Sequence, residues 1–223
     1  AYLSETHPSN PLASAPSLDR RKINLFAGHC DLGGKSDCCP ISPQDLARCG
    51  FDYAALGHIH KGGEIKLAGN TYYAYSGCPE GRSFDECGIK GVIVGELKKE
   101  NGRLAASFAS RRMCRRHYER LTVDVTGVSS DAELLERVKT SAAQAGLGAD
   151  ALVRIKLTGR ISPEARLSPN VLSASALGLY YLEVRDDTAP LLDTETLKND
   201  ISIRGAFFRE LLPLLESESE EER

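Results

Sequence analysis

The chain predicts an α/β protein, and three observations carry that reading. A strand–helix–strand order spans residues 21–57, with capping residues between two short apolar runs. A Gly-Asn turn at 69–70 joins two more strand-like runs, and further strands follow up to about residue 110. After a basic run at 111–117 the alternation of strands and helices begins again. This divides the chain into 1–110, a basic linker 111–117, a small α/β domain 118–215 and an acidic tail 216–223.

Composition agrees with a folded protein and excludes several classes. At 223 residues the chain is long enough for one large or two modest domains. A hydrophobic share of 41% beside 26% charged residues suffices for a core. The net charge of −3 gives no global electrostatic case for nucleic acid, so a local basic run must carry any such case. No apolar run approaches the roughly 18 residues of a membrane span. The opening residues lack the basic-then-apolar pattern of a secretion signal. Seven cysteines, an odd number, read as reduced thiols, and the expected location is cytoplasmic. The chain opens on Ala1, holds one methionine (Met113) and begins with a Ser/Pro-rich segment, so it is expected to be the C-terminal part of a longer protein.

Taken in order, residues 1–20 read as an extended loop interrupted by Pro8, Pro11 and Pro16, with His7 as a solvated side chain. Residues 21–27 form a strand that runs into Gly28-His29. Ser42 at an N-cap, Pro43 in the first turn, Asp45 three residues after the cap and Gly50 at the end predict a helix over 43–49. A strand over 51–57 follows. Residues 64–67 and 71–75 make a hairpin; strands at 88–97 and 103–110 meet at Asn101-Gly102. The second segment predicts a strand at 118–126, a helix at 130–145 between Ser130 and Gly146, and a strand at 151–159. A short helix near 168–177, a strand at 180–186 and a helix at 204–216 complete it. The acidic run after 216 reads as a solvated, frayed end.

The chemistry concentrates in Gly57-His58-Ile59-His60, at the end of an apolar strand and before Gly62-Gly63. Strand alternation predicts that His58 and His60 point the same way. A parallel crossover from 21–27 to 51–57 puts His29 on the same sheet edge, where open α/β sheets build their sites. Imidazole is a common transition-metal ligand, so three histidines on one edge predict a metal site. Cys30, Cys38 and Cys39 offer a zinc cluster with His29 as one reading, but their spacing forms no C-x-x-C pair and they read as buried or loop thiols.

The run Phe51-Asp52-Tyr53-Ala54-Ala55-Leu56-Gly57-His58-Ile59-His60 resembles the last metal-binding motif of calcineurin-like metallophosphoesterases. Gly28-His29 falls where that family carries a preceding single-histidine motif. Residues 75–91, through Gly77-Cys78-Pro79-Glu80-Gly81-Arg82 and Asp85-Glu86-Cys87-Gly88-Ile89-Lys90-Gly91, look like the DNA-repair exonuclease branch of the SbcCD nuclease-subunit type. Residues 117–212, with Leu191-Leu192-Asp193 and 203–208, resemble its capping domain less specifically. The resemblance implies the C-terminal part of a four-layer αββα catalytic domain followed by that cap. It implies a metal-dependent phosphodiesterase acting on DNA, with two divalent ions, commonly manganese. Carried over, His29 and His58 would bind one ion and His60 the other. The family's Asp-x-His, Gly-Asp-x-x-Asp and Gly-Asn-His motifs do not occur in this sequence. No catalytic residue is therefore assigned here, and the chain alone is expected to be inactive. An SMC-like ATPase subunit is a further implied partner, with homodimerisation left open.

Arg111, Arg112, Arg115 and Arg116 suit either DNA phosphate contacts or a solvated linker. Arg82 could reach a phosphate or pair with Asp85 or Glu86. Two other readings stand beside the nuclease. One is a non-catalytic DNA-binding or subunit-docking module. The other is a metallophosphatase on small phosphate esters.

Overall fold

The structure, a computed structural model, describes residues 8–33, 38–165, 167–191 and 194–221, with only the backbone of residues 194, 196 and 213–221. His7, Leu192 and Asp193 lie outside the described residues. The chain is mixed α/β with several sheets and divides into two compact units. The first comprises 1–119 and 150–152; the second comprises 120–149 and 153–223.

In the first unit, β1 (Leu25–His29), β2 (Asp31–Leu32) and β3 (Pro40–Ile41) precede helix α1 (Pro43–Cys49), followed by β4 (Tyr53–Gly57), β5 (Lys66–Ala68) and β6 (Thr71–Tyr75). Local chemistry sets the ends of α1. The Ser42 hydroxyl accepts the Asp45 amide proton while the Asp45 carboxylate accepts from the Ser42 amide, a reciprocal capping box. Gly50 ends the helix at φ +72°, a conformation that suits glycine. The crossover through α1 leaves β1 and β4 parallel, from Leu25 opposite Tyr53 to His29 opposite Gly57. The sheet order is β1-β4-β6-β5, with β4 and β6 parallel and the β5–β6 hairpin antiparallel.

One face of this sheet is the core. Ala54, Leu56 and Tyr73 pack with Leu12, Ile41 and Leu46, and Phe26 lies against the cluster. Burial of a leucine such as Leu46, fully inaccessible, contributes about 1.5–3 kcal/mol. The buried Thr71 hydroxyl lies 2.7 Å from the Phe51 carbonyl and 3.1 Å from that of Leu46, joining helix end to sheet.

The strands β7 (Gly91–Glu100) and β8 (Arg103–Arg112) form a long antiparallel ribbon around Asn101-Gly102, both at positive φ. Phe108 stacks on Tyr53, and Lys99 reaches the Asp52 carboxylate at 2.7 and 2.8 Å. β8 extends past the predicted end, so Arg111 and Arg112 belong to a strand.

β9 (His117–Asp124) leads into the second unit, with helix α2 (Asp131–Gln144), β10 (Ala151–Thr158), β11 (Arg160–Ile161), β12 (Tyr181–Asp186) and β13 (Ala189–Pro190). The order β12-β10-β9 is one sheet. Amides of Val125 and Gly127 bond the carbonyls of Thr158 and Arg160, two residues on in both segments, which is parallel pairing. Along β10, Ala151, Val153, Ile155 and Leu157 are buried, alternate residues of one face. α2 buries Leu134, Val138 and Ala142 at a four-residue spacing.

Two expectations differ here. The helix predicted near 168–177 is a single 3₁₀ turn at Pro169–Val171 followed by irregular chain. Ser173 accepts the Ala176 amide and Gly178 sits at φ +66°, so side-chain capping and a glycine turn displace the helix. Helix α3 (Thr194–Asn199) was not anticipated, and α4 (Ile203–Glu221) is longer than predicted, its backbone helical into the acidic run read as frayed. No helix among the described residues is long and apolar enough to cross a membrane.

Candidate metal centre

The parallel pairing of β1 with β4 places two histidines together. His29 is the last residue of β1 and lies opposite Gly57; His58 is the next residue after β4. His58 has φ +110°, a backbone strain of about 1–3 kcal/mol for a residue with a side chain. Its Nδ1 lies 3.2 Å from His29 Nε2, with the rings edge to face at 5.1 Å between centroids.

The Cys38 thiol joins them. Cys38 follows β2, and its carbonyl accepts the Asp31 amide at 2.9 Å. The donor atoms of His29, Cys38 and His58 all lie within 4.8 Å of one another. Metal–nitrogen bonds of about 2.0–2.1 Å and metal–sulfur bonds of about 2.3 Å give a coordination sphere of comparable width, so this donor set fits one transition-metal ion. Cys30 is different: it is buried, and desolvation pushes its thiol up to about 11, leaving a protonated core side chain.

His60 stands in other surroundings. The strand ends at Gly57 and His58 has left-handed backbone, so the period-two argument does not reach His60. This corrects the expectation of two imidazoles aligned by one strand. His60 Nδ1 lies 2.6 Å from Glu86 Oε1. Glu86 also receives the Arg82 guanidinium at 3.1 Å and the Arg82 amide at 2.8 Å. Arg82 chiefly, then His60, holds the Glu86 carboxyl down to about 2. A carboxylate on Nδ1 selects the Nδ1–H tautomer and leaves Nε2 as the free donor, an arrangement typical of metal-binding histidines. The His60 carbonyl accepts the Cys78 amide at 3.2 Å. The Gly77 turn before Cys78 is at φ +76°, and a Cβ there would sit 2.6 Å from the Gly62 nitrogen.

The basic residues disperse. Arg82 is committed to Glu86. Arg112 pairs with Asp150. The backbone amides of Arg115 and Arg116 bond Glu80. Arg111 lines a cavity of about 310 Å³ with Lys61 and Lys90, and the Lys90 ammonium bonds the His60 carbonyl at 3.4 Å. Sequence reasoning set Cys38 aside for want of a C-x-x-C spacing, and missed Glu86 on His60. In the sequence the only partner near Glu86 that stands out is Arg82, four residues away. Its link to His60 spans 26 residues and left no local signal.

No protein-family profile matches the chain. Over 130 residues it is 32% identical to the uncharacterized metallophosphoesterase YhaO of Bacillus subtilis (strain 168). The match covers 56% of this chain and 30% of that relative, so the chain spans about a third of its length. It supports the metallophosphoesterase superfamily.

Proposed function

We propose that the chain forms part of a metal-dependent phosphodiesterase of the DNA-exonuclease type. The carrying observation is the His29–His58 pair, two imidazole donors 3.2 Å apart at the ends of adjacent parallel strands. In this reading His29 and His58 hold one divalent ion and His60 a second, manganese being the ion the resemblance implies. Bound there, such ions act as Lewis acids and lower the pKa of a bound water. The chain's own residues do the positioning. Pairing of β1 with β4 holds the first two rings, and Glu86, locked by Arg82, orients His60. The first 110 residues are the C-terminal part of the catalytic domain, and 118–215 a capping domain that helps select DNA ends. Remaining ligands, the general acid and an SMC-like ATPase partner are assigned to the whole protein.

The test compares manganese-dependent cleavage of DNA by this chain with that of a version extended upstream in its reading frame. Cleavage by the extended protein alone supports the reading. Inactivity of both, with DNA binding retained, supports instead a non-catalytic DNA-binding module. That second reading is favoured by the cavity lined by Lys61, Lys90 and Arg111. Hydrolysis of a small phosphomonoester without DNA cleavage points to a metallophosphatase.

A further inference from the structure

We propose that Cys38 is a thiolate ligand, and that His29, Cys38 and His58 together form a site for a thiophilic divalent ion of the zinc class. The proposal rests on the reading of His29 and His58 as metal ligands and departs from manganese at that position.

One ligand atom each of His29, His58 and Cys38 comes from a separate stretch of chain, yet the three lie within 4.8 Å of one another. Two are fixed by the backbone, because His29 ends β1 and His58 follows β4 in parallel register. The third is placed by described residues on either side of it: the Asp31 amide bonds the Cys38 carbonyl at 2.9 Å, and the parallel pairing of β2 with β3 sets Asp31 opposite Pro40, two residues past Cys38. Neighbouring thiols are unsuited: Cys30 and Cys39 are buried, at 1% and 2% exposure, while Cys38 is half-buried and open to an incoming ion. His58 is also held at φ +110°, a strained backbone that persists only where surroundings over-determine it.

Ligand chemistry then selects the ion. Carboxylate and water sites suit manganese, whereas imidazole with thiolate suits zinc and its soft neighbours. Manganese also stands lowest in the divalent affinity order for a given nitrogen and sulfur site. On binding, the Sγ–H bond breaks, the sulfur electron pair forms the bond to the ion and the proton passes to solvent. Nothing is oxidised or reduced.

The test titrates the metal-free 223-residue chain with cobalt(II) and follows the near-ultraviolet charge-transfer band of a thiolate–cobalt bond. The band is expected in the wild type and in Cys49→Ser, and absent in Cys38→Ser and His58→Ala. Loss of partners one step further out already costs about 10- to 100-fold in metal affinity, so Cys38→Ser is expected to lose about 100-fold or more for zinc. A second measurement needs no variant. Zinc should slow alkylation of Cys38 in the wild type, read peptide by peptide by mass spectrometry, while Cys49, in α1 with its thiol on the Leu12 carbonyl, labels at an unchanged rate. Cobalt binding that depends on His58 but shows no thiolate band, or zinc that leaves Cys38 labelling unchanged, overturns the role of Cys38 and spares the histidine pair. Absence of cobalt binding, or binding indifferent to His58→Ala, overturns both.

Discussion

The two histidine clusters of the first unit are built by different means. His29 and His58 meet because two parallel strands end side by side, so their spacing is a property of sheet register. His60 is placed by side chains, through a Glu86 carboxylate that is itself held by Arg82. Two residues apart in sequence, His58 and His60 thus depend on separate parts of the molecule. Damage to the sheet should reach the first cluster and spare the second; damage to the ion network should do the reverse.

The largest expected effect tests the sheet. Asp52, immediately before β4, accepts the Asn24 amide at 2.7 Å and pairs with Lys99, both side chains about 10% exposed. Truncating one partner of a buried pair costs about 3–5 kcal/mol because the other charge is left unpaired. Asp52→Ala should lower stability by that amount in urea unfolding and weaken cobalt binding by His29 and His58. Normal cobalt affinity in a folded Asp52→Ala protein would mean that strand register does not position the pair.

The converse test is Glu86→Gln, which keeps shape and removes charge. Metal affinity at His60 should fall about 10- to 100-fold by calorimetry, the usual cost of losing a carboxylate behind a ligating histidine. The cobalt spectrum of the His29–His58 pair should not move. The same variant has a pH signature. The Glu86 carboxyl sits at about 2, below its ordinary value, so it binds fewer protons folded than unfolded in between. Its stabilisation is complete above the ordinary carboxylate range of about 4.3 and disappears as pH falls toward about 2. The stability gap between wild type and Glu86→Gln should therefore be flat near neutrality and narrow below about pH 4.3. A gap independent of pH would separate Glu86 from this role.

The contrast also explains what the sequence could announce. β1, α1 and β4 were legible because each rests on local chemistry: apolar runs for the strands, Ser42, Pro43 and Asp45 for the helix start, Gly50 for its end. The alternation along β10 was legible for the same reason. From the strand–helix–strand order it followed that His29 and His58 share an edge. What escaped depends on tertiary closure. The positive φ of His58 breaks strand period at a residue with no turn signature. Cys38 joins the pair from the stretch just before β3, and Glu86 reaches His60 across 26 residues. The failed helix at 168–177 had a usable signal in Ser173, Ser175 and Gly178, residues that compete with helical hydrogen bonding.

The smallest effect separates the crossover from the register it connects. Ser42 caps α1, the helix joining β1 to β4, and Ser42→Ala removes the acceptor of the Asp45 amide. Loss of a serine cap costs about 1 kcal/mol, so a modest drop in urea midpoint is expected. The β1–β4 hydrogen bonds and the packing of Leu46 remain, and these rather than the cap hold His29 against His58. Cobalt affinity and spectrum should be unchanged at a temperature where the variant is folded. A weakened cobalt signal at full folding would show instead that the helix start tensions the strand ends, and would make the crossover a working part of the metal centre.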